Sequence, residues 1–166
     1  MPAMRTVNAR APLEGVMEMN HETKFASLTG LRRAIIATLA VLTIQGWTGD
    51  SVNLFSVFPQ GSVNASFLGI VEALFAAGGI ATYHAFEGIL LIILATLVLA
   101  LALKTRIRIV NLFAILGFVM VISAVIGGVL FVLSGFQNNG FSSQMATSFL
   151  GAYAFYFLEL YYTKGN

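Results

Sequence analysis

Four apolar stretches constrain this chain more than any other feature, each near the twenty residues that a helix needs to cross a hydrocarbon core of about 30 Å. They run from about 31 to 49, 80 to 104, 109 to 133 and 144 to 162, each bounded by charges or turn formers. A backbone in lipid must satisfy its own hydrogen bonds, so stretches of this length read as helices. The expected fold is all-α: a polytopic membrane protein built as a four-transmembrane-helix bundle over residues 29–166. Composition points the same way, because 58% hydrophobic and 10% charged residues lie outside the range of soluble domains. The first stretch is short for a crossing unless Arg32 and Arg33 reach back to the headgroups.

The cations order these helices. Arg5, Arg10, Lys24, Arg32 and Arg33 precede the first stretch, Lys104, Arg106 and Arg108 separate the second from the third, and Lys164 follows the fourth. Residues 50–79 and 134–143 carry none. The positive-inside rule then predicts a multi-pass protein of the cell membrane with both termini and the 104–108 turn in the cytoplasm. Trp47, Tyr83, Tyr161 and Tyr162 fall near the expected interfaces, as aromatic belts do.

Residues 1–28 mix charges with no apolar stripe and are expected to form a flexible cytoplasmic tail. The apolar run begins too far into the chain for a secretory signal, which predicts that the first stretch is kept as an anchor. On the opposite side, residues 50–79 are the sizeable outer segment. Within it Phe67, Leu68, Ile70, Val71, Leu74 and Phe75 recur at helical spacing, with Gly69, Glu72, Ala73, Ala76 and Ala77 on the other face. This predicts a short interfacial helix on the extracytoplasmic side, ended by Gly78 and Gly79; the same residues could instead extend the second span outward. "TIQGWTGDSVNLF" (43–55) can be laid over "AVIGGVLFVLSGF" (124–136), which suggests a duplication of two helices plus two.

Several function classes drop out. A net charge of +2, with no basic patch interleaved with aromatics, excludes nucleic acid as a partner. The absence of cysteine removes disulfides, thiolate metal sites and cysteine nucleophiles. No zinc-protease, P-loop or dinucleotide fingerprint is present, and whether the chain is an enzyme stays open.

His84 stands about four residues inside the second stretch, hence roughly 6 Å below the outer boundary at 1.5 Å per residue. Glu87 follows three residues on, near the same helix face and one turn deeper. Ionisable groups at membrane depth are costly and default to a functional reading. The pair is expected to hydrogen-bond internally, Glu87 fixing the His84 tautomer; near the interface, water or a neighbouring helix could equally satisfy both. Gln45, Asp50 and Glu72 lie at comparable depth and are expected to complete a polar cluster. Glu159, five residues before Lys164, is expected to pair with Lys104, Arg106 or Arg108 across the headgroups.

The succession of "QGW-TG", an outer helix, "HAFEGILLIIL", a basic loop, "VIGGVLFVLSG", an outer loop and a last span resembles one four-helix half of the heme A synthase family. It is similar, more loosely, to other four-helix membrane b-type cytochromes. In such families histidines at the outer ends of the second and fourth helices ligate heme. His84 stands at the first position, whereas the second region reads "SSQMATSF", with Gln144 and Met145 and no histidine. The resemblance implies heme as cofactor, with His84 and Met145 as candidate iron ligands and His84, Glu87, Met145 and Gln45 as candidate cofactor-binding residues. A free imidazole could also serve as a quinone partner or a proton-relay group, and a helical methionine is more often a packing element.

The expected function is therefore a small integral membrane protein, a heme- or quinone-binding redox component or accessory subunit of a respiratory complex. Its expected partners are lipid and other membrane subunits or a second copy. The alternatives are a non-catalytic structural membrane subunit and, less favoured with so few deep polar residues, a small transporter or channel.

Overall fold

The computed structural model describes residues 11–59 and 61–164, with side chains placed from Leu28 onward. The fold is all-α, with α1 at Ala11–Phe55, α2 at Phe67–Ala76, α3 at Gly79–Thr105, α4 at Arg108–Leu133 and α5 at Asn139–Lys164. Helix α1 begins at Ala11, so much of the stretch expected as a tail over 1–28 is helical and continuous with the first apolar run. Ala11, Leu13, Glu14, Met17 and Glu18 are strong helix formers, and Pro12 falls in the first turn, where its missing N–H is not needed. Residues 1–10 of that tail lie outside the described residues.

The breaks between helices have local causes. Ser66 caps α2 by accepting the Gly69 N–H at 3.1 Å, and Asn64 Oδ1 holds the Ser66 N–H at 2.9 Å. Gly78, at φ 107, takes the backbone from α2 straight into α3. Arg106 adopts a left-handed conformation at φ 57 in the tight turn between α3 and α4, where Thr105 Oγ1 accepts the Ile107 N–H at 3.3 Å. After α4, Gly135 and Phe136 both have positive φ, and the Phe136 N–H donates back to the Phe131 carbonyl at 3.0 Å.

Helices α1, α3, α4 and α5 form a ring in which each packs on its antiparallel neighbours. The closest pairs are α1 with α3 and α4 with α5, while α1 faces α4 and α3 faces α5 across the diagonals. Small residues set the approach. A Cβ on Gly117 would stand 2.8 Å from the Tyr156 ring, so the missing side chain lets α5 close on α4. The core has two layers. One, with Leu31, Ile35, Val98, Val110 and Tyr156, lies toward the end that carries Arg32, Lys104, Arg108 and Lys164, here called the basic end. The other gathers Val52, Ala77, Phe131 and Phe136 beneath α2, here the α2 end.

Helix α2 rests on α3 and α4 through Ala73 and, at its C-cap, Ala77, while the buried Gly69 packs against Asn64 of the preceding loop. Its small-residue face thus meets protein, and Phe67, Leu68 and Phe75 point outward. Three helical segments are long and apolar enough to cross a membrane, 28–55, Gly79–Thr105 and Arg108–Leu133. No more than a third of their most apolar windows is buried within the protein, so most of that apolar surface faces out, as a lipid-solvated helix requires. Helix α5 matches α4 in length at 26 residues but is more polar, with Ser142, Ser143, Gln144, Ser148 and Glu159.

Candidate functional site

The expected pair of ionisable residues is met by two polar side chains from α1. Gln45 and Thr48 stand three residues apart on one face of α1, as His84 and Glu87 do on α3, and the antiparallel pairing brings the two faces together. Gly49 makes room, because a Cβ there would lie 3.1 Å from His84 Cε1. Thr48 and Glu87 are buried, at 5% and 6% exposure, and Gln45 and His84 are half-buried.

Hydrogen-bond directions follow from counting protons. Thr48 has one hydroxyl proton and two oxygen acceptors in reach, the Gln45 carbonyl at 3.1 Å and Glu87 Oε2 at 2.6 Å; the shorter contact, to a carboxylate that can only accept when ionised, takes the proton. Thr48 Oγ1 is then the acceptor in its 3.0 Å contact with His84 Nδ1, which assigns the imidazole proton to Nδ1. That leaves His84 Nε2 as the acceptor for Gln45 Nε2 at 3.2 Å, and the second amide proton of Gln45 reaches the His84 carbonyl, also at 3.2 Å. The result is a directional chain from Gln45 through His84 and Thr48 to Glu87. Such a chain has the connectivity that proton exchange needs, because the threonine hydroxyl can take one proton and release another.

Glu87 therefore orients His84 through Thr48 in place of the expected direct bond. Thr48 was missed by sequence reasoning, although its position three residues after Gln45 was a usable signal. Asp50 and Glu72, expected in the same cluster, are exposed and make no hydrogen bond to it. Met145 is elsewhere, on α5 against the glycine notch of α4. Its Cγ and Sδ lie 3.1 and 3.2 Å from where side chains on Gly127 and Gly128 would begin. Gln144 Nε2 donates to the Ser123 carbonyl and hydroxyl at 3.4 Å, and the Ser148 hydroxyl donates to Ser123 Oγ at 2.9 Å, a separate polar node between α4 and α5.

Compared with known proteins, the chain matches no family model, no curated protein and no solved structure. The likeness to heme A synthases thus rests on its short motifs alone, and the residues can be tested for fit directly. Both ring nitrogens of His84 are occupied by hydrogen bonds, and the Met145 sulfur is packed into α4 on a helix diagonal to His84. Heme held between these two side chains does not fit this arrangement. Among the described residues, no group of three or more His, Asp or Glu side chains is placed to hold a metal ion.

Glu159 corrects a second expectation. It is wholly buried, and neither carboxylate oxygen has a hydrogen-bond partner among the described residues, whereas Lys104, Arg106 and Arg108 are exposed. Glu159 shares its helix face with Ala152, Tyr156 and Thr163, all buried, so its register aims it into the bundle rather than toward the headgroups. From α1, Arg32 reaches the last turn of α5, where its guanidinium donates to the Thr163 carbonyl.

Proposed function

We propose that the protein crosses the membrane four times, with α5 as the fourth span, the basic end in the cytoplasm and α2 lying at the outer interface. It serves there as the proton-handling component of a membrane redox assembly, with a quinone-class molecule as its ligand. The observation that carries this reading is the continuous chain Gln45–His84–Thr48–Glu87. A proton arriving at His84 Nε2 displaces the Gln45 amide. The Nδ1 proton then passes to Thr48 Oγ1, and the threonine proton to Glu87. Each atom ends with its valence satisfied. A quinol is a bilayer-soluble donor of such protons, and its electrons would go to a redox partner subunit, since no side chain of this site carries them. The even spread of outward apolar side chains, including Phe67, Phe75 and Trp47, supports lipid contact at this end.

Trp47 is the single tryptophan and lies between Gln45 and Thr48 in sequence, which makes it a reporter. Protein in lipid nanodiscs titrated with a short-chain quinone should show saturable quenching of Trp47 fluorescence. His84→Ala should weaken the saturable component roughly tenfold, the equivalent of about 1.4 kcal/mol. Quenching that rises without saturation, and equally in both proteins, would remove the quinone reading.

A second reading has its own support. With both His84 nitrogens engaged, the network also serves as a clamp between α1 and α3 in a non-catalytic membrane subunit. Under that reading His84→Ala lowers stability and leaves quinone quenching unchanged.

A further inference from the structure

The basic end of the bundle holds a second polar site that the relay does not use. Glu159 and Tyr156, one turn apart on α5, are both wholly buried, and among the described residues neither the carboxylate nor the phenolic hydroxyl has a hydrogen-bond partner. Buried polar atoms without partners are rare in native proteins because each carries the full cost of desolvation. Two in successive turns of one helix, at a depth where water is scarce, mark a place built to receive something.

The surroundings limit what that is. The packed layer around Tyr156 contains Ile35 of α1, Ala95 and Val98 of α3, and Ala114 of α4, most of them small and none of them charged. Thr38 lies on the same buried stripe of α1 as Ile35 and Leu42. Its hydroxyl proton is spent on the Ala34 carbonyl at 2.8 Å, which leaves its oxygen free to accept. The buried side chains named here, Glu159, Tyr156 and Thr38, all offer oxygen, and only one of them is a carboxylate. An all-oxygen set suits a hard cation, and a single carboxylate balances a single charge. Of the acidic residues whose side chains are placed, the others, Asp50, Glu72 and Glu87, belong to the half of the bundle toward α2.

We infer that Glu159 and Tyr156 form a binding site for one small monovalent cation, a proton or a sodium ion, near the basic end of the bundle. Arg32 is the charged group facing this site from α1. Its guanidinium is held at the Thr163 carbonyl, in the last turn of α5, and its Nε is buried without a partner, as is Asn111 Oδ1 from α4. Lys104 of α3, Arg106 in the turn, Arg108 of α4 and Lys164 of α5 are exposed and face away. Among the described side chains, Arg32 is thus the competitor for the carboxylate. Because the carbonyl holds it one turn away, the carboxylate is left to the cation.

The test uses the full chain in lipid nanodiscs, read by infrared spectroscopy for the carbonyl stretch of a protonated carboxylic acid. Thermal unfolding is measured alongside in sodium chloride and in choline chloride. If the site holds a proton, wild type shows an exchangeable acid band that Glu159→Gln abolishes and that sodium does not alter. If it holds sodium, wild type is stabilised by sodium over choline, and Glu159→Gln loses that difference. Should Glu159→Gln fail to fold, Tyr156→Phe keeps the test open, because loss of the hydroxyl must shift the acid band or weaken the sodium effect. Arg32→Gln separates the remaining case. Wild type with neither signal, or with either appearing only once Arg32 is removed, would show that the guanidinium is the true counterion and would overturn the site.

Discussion

Replacing Thr48 by Val removes one hydroxyl while keeping the branched shape, so it isolates the link between His84 and Glu87. In the native protein Thr48 Oγ1 donates to Glu87 Oε2 at 2.6 Å and accepts from His84 Nδ1 at 3.0 Å. Valine offers neither bond, leaving a buried carboxylate oxygen and an imidazole N–H without partners. Unsatisfied buried groups cost about 1–3 kcal/mol each in water-soluble proteins. Measured side-chain bonds between membrane helices are weaker, about 0.6 kcal/mol on average and about 1.7 at most. Two such bonds, one of them to a carboxylate, place the expected loss at about 1–3 kcal/mol. Unfolding in mixed micelles, followed by Trp47 fluorescence, measures it. Thr43→Val is the control, because Thr43 is exposed and its hydroxyl bonds only to the Leu39 carbonyl of its own helix; it should change stability by less than about 0.5 kcal/mol. The link is tested further by the pair Thr48→Val and Glu87→Gln. If the two residues form one chain, the double variant loses less than the sum of the single losses. Equal stability of Thr48→Val and Thr43→Val, or simple additivity with Glu87→Gln, would refute the assignment of Thr48 as the bridge.

Three further outcomes follow from the same geometry. The chain has no cysteine, so single cysteines report topology cleanly: Arg106→Cys should react with an impermeant maleimide only after cells are opened, and Val57→Cys, at 83% exposure, should react in intact cells. Gly117→Ala places a methyl 2.8 Å from the Tyr156 ring and should lower stability by about 1–3 kcal/mol, whereas Gly30→Ala, with nothing within 4 Å, should not. Ser66→Ala removes the cap of α2 and should speed hydrogen exchange over 67–71 selectively, for a local loss of about 1 kcal/mol.

Much of the fold was legible because hydropathy and length decide what a helix in lipid can be. The boundaries read for the second and third stretches, 80–104 and 109–133, fall within one residue of the ends of α3 and α4. Helix α5 gives a weaker signal for a physical reason. Its inward face carries Ser148, Tyr156, Glu159 and Thr163, so hydropathy averaged around the helix understates how apolar its outward face is. The outer helix was legible in its limits but not in its orientation. Periodicity separates a bulky face from a small one, yet cannot say which of them meets protein. The contact went to Ala73 and Ala77, because small residues let two backbones approach and gain packing on both sides.

The site divides along the same line. His84 and Glu87 stood out because their cost in lipid is a property of the residues themselves. Thr48 did not, because a threonine in an apolar helix ordinarily satisfies itself by bonding to the carbonyl one turn back, as Thr38, Thr43 and Thr96 do here. What makes Thr48 different is the partner across the interface, and that depends on the rotation of α1 against α3. Gly49 helps set this rotation by leaving room on α1 for the imidazole of α3. Glu159 shows the converse. It lies at helical spacing with Ala152, Tyr156 and Thr163, all buried, whereas the sequence suggested an ion pair because cations lie near its expected depth. Where helical register and long-range charge disagree, the register prevails, because turning one residue outward would expose three buried neighbours with it.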